Sequence, residues 1–147
     1  MPQPGRRPSP RNLLLGTFVA LCAIQFVPYG RAHENPPVAA EPRWDSPATR
    51  ELARRACFDC HSNETRWPAY AYVAPVSWQL QNDVEGGRFH LNFSEWQRSQ
   101  RHAKDAADKV RNRNMPLWYY ALVHPPARLS SAEREQLAAG LERTIGK

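Results

Sequence analysis

Leu13 to Pro28 is an almost unbroken apolar run in which Gln25 is the one strongly polar side chain. Arg6, Arg7 and Arg11 precede it, and a basic flank followed by an apolar segment is the layout of a signal peptide or membrane anchor. Beyond it the pattern breaks into short amphipathic stretches. Ser46 followed by Pro47 is a helix start, with serine as cap and proline in the first turn, and the helix runs through Leu52 and Arg55 into Cys57. Val76 to Val84 predicts a second helix, ended before Gly86-Gly87. Ser94 and Gln97 have capping-box spacing and predict a third helix, from Glu95 to about Val110. Pro116, Pro125 and Pro126 make 112–128 a loop region. Ser130 and Glu133 predict a last helix, with Leu137, Leu141 and Ile145 at i, i+4 and i+8 on one face. No strand pattern competes. The fold class is all-α: four or five short helices, preceded by the N-terminal apolar helix.

Composition refines this picture. A chain of 147 residues with 14 prolines suits one domain of short helices joined by stiff connections. Pro36, Pro37 and Pro42 mark residues 31–45 as an extended linker. The organisation expected is a signal or anchor segment over 1–30, that linker, and a globular domain over 46–147. The positive flank stays in the cytoplasm, so everything after Tyr29 is expected to be exported. Gly30-Arg31-Ala32 is a tolerable but not a strong cleavage site, and an anchor retained over residues 13–29 is favoured. Cys22 lies inside the run and reads as an apolar filler. The net charge of +6 is less telling than its distribution. Arg6, Arg7, Arg11 and Arg31 all precede the first acidic residue, Glu34, which leaves 16 basic against 14 acidic side chains in the remainder. No basic face for nucleic acid is left.

Cys57-Phe58-Asp59-Cys60-His61 carries the chemistry. Two thiols three residues apart on one helical turn can each add to one of the two vinyl groups on neighbouring pyrroles of haem. The imidazole after the second cysteine then lies beneath the ring and can bind iron. The spacing therefore reads as covalent attachment of one c-type haem. A zinc site would need a second Cys or His pair. Only Cys22 remains among cysteines, and His33, His90, His102 and His124 form no pair at ligand spacing. A thioredoxin-like dithiol would need a βαβ context, which is absent. Asp59 and Glu64, beside the motif, read as solvated or helix-end charges.

For the second axial position the chain offers Met115, its one methionine besides the initiator. Met115 precedes Pro116, and the residue before a proline is pushed into extended geometry, so its soft thioether should stand on a stiff loop. His124, also before a proline, is the next candidate, then His90, and a vacant position is the remaining alternative. His102 lies among charged neighbours and reads as solvated. The free nitrogen of His61 should donate to a carbonyl that fixes the ring, with carbonyls near Pro68 or Pro75 as candidates.

Four blocks together resemble the bacterial haem-binding domain family of small mono-haem cytochrome c-like proteins. They are Arg55-Ala56-Cys57-Phe58-Asp59-Cys60-His61-Ser62-Asn63-Glu64-Thr65-Arg66-Trp67-Pro68, Val73-Ala74-Pro75-Val76-Ser77-Trp78, His90-Leu91-Asn92-Phe93-Ser94-Glu95-Trp96 and Met115-Pro116-Leu117-Trp118-Tyr119-Tyr120. The resemblance spans about residues 35–145. It implies a cytochrome c-like fold around one covalent haem, Cys57 and Cys60 as thioether residues, His61 as proximal ligand and Met115 as distal ligand. The expected function is electron transfer, with unidentified redox proteins of a respiratory or periplasmic chain as partners, and not enzymatic catalysis. The alternatives are a ligand- or peroxide-reactive haem protein with an open sixth site, and an interaction module that haem merely stabilises.

Overall fold

A computed structural model describes residues 9–146. Arg6 and Arg7 of the basic flank lie outside the described residues. Within them the regular structure is helical: α1 (Pro10–Ile24), α2 (Pro47–Ala56), α3 (Phe58–His61), α4 (Val76–His90), α5 (Ala106–Arg111), α6 (Trp118–Val123) and α7 (Ser131–Ile145). Short 3-10 turns stand at Ala69–Tyr72, Ala103–Asp105 and Pro125–Ala127. The all-α expectation is met, although six helices follow α1 rather than four or five. The chain divides into two compact units. One holds the N-terminal segment to Ala32 together with Pro68–Gln81; the other holds His33–Trp67 and the chain from Asn82 on.

In the first unit, α1 starts where Ser9 accepts a hydrogen bond from the Asn12 amide and Pro10 opens the first turn. None of its residues is buried. At 15 residues it is about 22 Å long, and no helix among the described residues is long and apolar enough to cross a membrane. Gln25 caps its C-terminus. The Gln25 amide group donates to the Ala74 carbonyl at 2.9 Å, and its carbonyl oxygen accepts from the Ala74 amide at 3.0 Å.

The second unit holds the core. Leu52, Phe58, Leu91, Phe93, Val110, Leu137 and Leu141 are buried together, drawn from α2, α3, the turn after α4, α5 and α7. Phe93 has the rings of Trp44, Phe58 and Trp96 around it, with centroids 5.1, 5.6 and 6.2 Å away. α2 is capped by Ser46, and α7 opens with the Ser130–Glu133 capping box. The proline-rich stretch before Trp44 is extended. It is also hydrogen-bonded along its length: Asn35 donates to the Thr65 carbonyl, Pro37 accepts from Asn63, and Ala40 bridges to Glu95.

Three sequence expectations fail here, each for a local reason. The helix expected to stop before Gly86 continues to His90, because Gly87 is needed inside it for a close backbone approach. The helix expected from Glu95 begins only at Ala106, after a 3-10 turn. Ser94 is fully buried and does not cap: its hydroxyl accepts from the Asn63 amide, and its carbonyl accepts from Ala39 and Ala40. Within the expected 112–128 loop, Trp118–Val123 forms a helical turn and a half between Pro116 and Pro125.

Candidate haem-attachment site

α2 ends at Ala56, and Cys57 is at once its C-cap and the start of α3. Cys57 offers its carbonyl to the amides of Cys60, at 3.1 Å, and His61, at 2.8 Å. One turn therefore carries Cys57, Cys60 and His61, as the spacing predicts. Burial pushes the Cys57 thiol up to about 12 and the Cys60 thiol likewise to about 12, where nearby Asp83 and Asp59 add to it. That is the reverse of a dithiol oxidoreductase, whose attacking cysteine is acidified. No group of three or more His, Cys, Asp or Glu that could hold a metal occurs among the described residues, and a structural zinc site needs four ligands.

His61 is held by two carbonyls. Its Nδ1 lies 3.0 Å from the Gly87 oxygen and 3.0 Å from the Leu91 oxygen. Both are acceptors, so Nδ1 carries the proton and Nε2 keeps its lone pair. Burial lowers the His61 pKa and so favours the neutral ring, the form that binds metal. The expected ring-fixing hydrogen bond is present, but to Gly87 in the C-terminal half of α4 and Leu91 just beyond it rather than near Pro68 or Pro75. α4 can come this close because residue 87 is glycine. A Cβ there would sit 2.3 Å from the Cys60 carbonyl oxygen and 2.9 Å from its carbon. At Gly86, one position earlier, a Cβ would meet open space.

The residues after the motif are clamped by side chains. Arg88 donates to the Ser62 carbonyl, the Glu34 carbonyl, Asn35 and the Thr65 hydroxyl, at 2.8 to 2.9 Å. Asn63 accepts from Asn92 at 2.9 Å, and the His61 carbonyl accepts from the Phe93 amide at 2.8 Å. These bonds join two of the sequence blocks, Cys57–Pro68 and His90–Trp96.

Tyr120 joins a third block. Its hydroxyl donates to the Asp59 carboxylate at 2.6 Å. Burial, with that carboxylate beside it, holds the Tyr120 phenol well above the usual tyrosine range. Asp59 itself is 8% exposed and also accepts from the Arg66 amide. Of the two readings of Asp59, the helix-end charge holds, in the first turn of α3, and the solvated one does not: it sits between the cysteines and needs partners there. Glu64 is exposed, as expected.

Met115 stands on the loop between α5 and α6 and packs against the same apolar cluster as Cys57. Its amide donates to the Lys109 carbonyl at 3.0 Å, and its carbonyl accepts from Arg134 at 3.1 Å. His124 stacks on Tyr120 with centroids 4.1 Å apart, and its Nδ1 lies 3.0 Å from the Tyr120 carbonyl. His90 is exposed at the end of α4, edge-on to His102 at 4.7 Å.

The residues that sequence reasoning missed are Gly87, Arg88, Leu91 and Tyr120. Two glycines inside an otherwise helical stretch were the available signal, because an interior glycine often marks close packing. Nothing in the sequence announces that the Leu91 carbonyl serves as an acceptor.

The donor set fits a haem. Two protonated thiols and an imidazole with a free Nε2 share one turn. In addition, the Trp67 indole N–H is buried without a partner among the described residues, and haem carries carboxylates that could accept from such a group. No curated protein and no solved structure matches the chain. The family model described as a haem-binding domain matches residues 19–143. With most of its length matched, the chain belongs to the haem-binding domain family, and it binds haem.

Proposed function

We propose that the protein is a mono-haem c-type cytochrome that carries electrons on the periplasmic side of the inner membrane, held there by residues 13–29. The observation that carries the reading is the His61 ring, fixed by the Gly87 and Leu91 carbonyls at the end of the turn that bears Cys57 and Cys60. Each thiol would add its S–H across one vinyl group. That step is redox-neutral and leaves a thioether. His61, through Nε2, and Met115, through its sulfur, would hold the iron. When bound, the haem supplies a one-electron iron couple, and a thioether opposite an imidazole raises its potential relative to two histidines.

The protein's own residues keep that couple cheap to cycle. The two carbonyls hold His61 in one tautomer and one orientation, so the ligand need not reorganise as the charge changes. Arg134 and Lys109 pin the Met115 backbone on both sides of the residue. Met115 packs against the same apolar cluster as Cys57, which favours it over His90, exposed at the end of α4. An electron-carrying role asks nothing of an acid–base pair, and Asp59 and Tyr120 already satisfy each other.

The test is the absorbance spectrum of protein matured with a haem-attachment system, read in both redox states. Haem that survives acid–acetone extraction is expected. So is a near-infrared sulfur-to-iron charge-transfer band in the oxidised state, lost in Met115→Ala. Extractable haem would remove the covalent reading. A wild-type spectrum without that band, with carbon monoxide binding readily to the reduced form, would mark an open site in place of the electron carrier.

A further inference from the structure

The unit made of α1 and Pro68–Gln81 differs in chemistry from the rest of the chain. Pro68–Gln81 contains no Asp, Glu, Lys, Arg or His, and the N-terminal segment to Ala32 contains no acid. Among its described residues the only charges are Arg11 and Arg31, at the two ends of the apolar run. The 14 acidic residues of the protein therefore all lie in the other unit.

Its apolar side chains face outward in both segments. Leu14 is 72% and Phe26 87% exposed on the N-terminal segment, and Tyr72, Val73 and Val76 are 59%, 53% and 48% exposed on the other. Exposed apolar surface of this extent marks an interaction site. An acid-free surface edged by arginines suits anionic lipid rather than a protein of mixed charge. Tyr29, Tyr70, Tyr72 and Trp78 add the amphipathic rings found where a bilayer meets water.

We infer that the Tyr72–Val76 loop is a second membrane contact, held beside the exit of α1 by pairing of the Gln25 side chain with the Ala74 backbone. This rests on the reading of residues 13–29 as the membrane segment. The hydrogen-bonded backbone extends past the end of α1. Beyond α1, the amides of Gln25, Phe26 and Val27 bond to the carbonyls of Cys22, Ala23 and Ile24, and Pro28 has no N–H. Counted from Leu13, where the apolar run starts, the satisfied backbone reaches to Val27 over about 24 Å, against roughly 30 Å for a hydrocarbon core. Gln25 is the polar interruption of the run, and the pairing accounts for it. Its amide nitrogen donates to Leu21 and Ala74, and its oxygen accepts from Ala74. A group satisfied in this way is tolerable at the edge of a bilayer.

Gly30 fixes the same junction. Its φ is +77°, and a Cβ would lie 2.6 Å from the Ser77 carbonyl oxygen. The exit of the N-terminal segment is thereby built into the unit.

The experiment uses the full haem-loaded chain in phosphatidylcholine–phosphatidylglycerol vesicles. A nitroxide is placed singly by Phe26→Cys, Val73→Cys or Glu135→Cys in a Cys22→Ala background, whose failure to take label shows that Cys57 and Cys60 are consumed. Collision with oxygen reports lipid, and collision with a water-soluble nickel chelate reports solvent. High oxygen and low nickel accessibility at both Phe26 and Val73, with the reverse at Glu135, is the expected result. Lipid at Phe26 with water at Val73 overturns the second contact and leaves the anchor standing. Water at both sites overturns the anchor and the contact together. Low accessibility to both reagents at Val73 means a protein partner or a second copy covers it, which also overturns the proposal. Adding Gln25→Ala should move Val73 out of lipid while Phe26 stays. If Val73 does not move, Gln25 is not what holds the loop.

Discussion

The two units solve the same problem by different means. Both are assembled from separated stretches of chain, and both contain irregular backbone whose polar groups need partners. The haem-motif unit satisfies them with side chains. Arg88, Asn63, Asn92 and Ser94 supply side-chain bonds that tie residues 34–37, 62–65 and 92–95 together. In the apolar unit, helical and turn bonds, the Gln25 side chain and the close approach at Gly30 serve this end. α4 begins in one unit and ends in the other, and its composition changes with it. Val76–Gln81 is uncharged, whereas Asp83, Glu85 and Arg88 follow. Polar side chains are spent where the backbone must hold a group in one orientation.

The largest effect should come from a single methyl group. Gly87→Ala places a Cβ where the Cys60 carbonyl now stands, so α4 must retreat and His61 loses both acceptors. A cost of about 3 kcal/mol is expected, the upper part of the usual range for overpacking. Denaturant midpoints will read it, together with loss of a single His61 environment in the haem spectrum. Gly86→Ala meets open space and should stabilise by about 0.5–1 kcal/mol, as replacing glycine in a helix does. Similar midpoints for the two variants would mean that the approach of α4 to the motif does not hold the site.

A smaller effect isolates the third block. Tyr120→Phe removes the donor to Asp59 and should cost about 1.5–3 kcal/mol, the range for a hydrogen bond to a charged group. It also has a pH signature. The folded phenol titrates above the unfolded one. Its contribution is therefore complete below about pH 10 and drains away as the pH rises toward the folded value. Stability of the parent should fall in alkali more steeply than that of Tyr120→Phe, measured by denaturation at several pH values. Parallel alkaline limbs would show that the phenol titrates alike in both states.

What could be read from the sequence was what adjacent residues decide. Ser46-Pro47 and Ser130-x-x-Glu133 cap their helices because capping is a matter of three or four residues, and Cys57, Cys60 and His61 share a turn for the same reason. Ser94 failed as a cap because its hydroxyl and carbonyl are claimed by residues 31 and more positions away. Asp59 stands at a helix end, as one reading had it, but is not solvated, because its partner is 61 residues on. The carbonyls that orient His61 come from residues 26 and 30 positions downstream, and backbone acceptors leave no mark on composition. Gly86-Gly87 had a mark but an ambiguous one: the same pair could end a helix or let it pack closely.

The smallest effect bears most directly on whether the two units are distinct. Gln25→Leu keeps the apolar run and removes both bonds to Ala74. At about 1 kcal/mol for each bond, local opening around Ala74 should become roughly 10- to 30-fold more frequent. Amide hydrogen exchange of the detergent-solubilised protein can follow it residue by residue. The Ala74 amide should exchange faster, while those of Leu137 and Leu141 in α7 keep their protection, because their stability comes from a core to which Gln25 contributes nothing. Equal acceleration in α7 would mean that the protein opens as one cooperative body. The contrast in charge between the units would then describe their surroundings and not their stability.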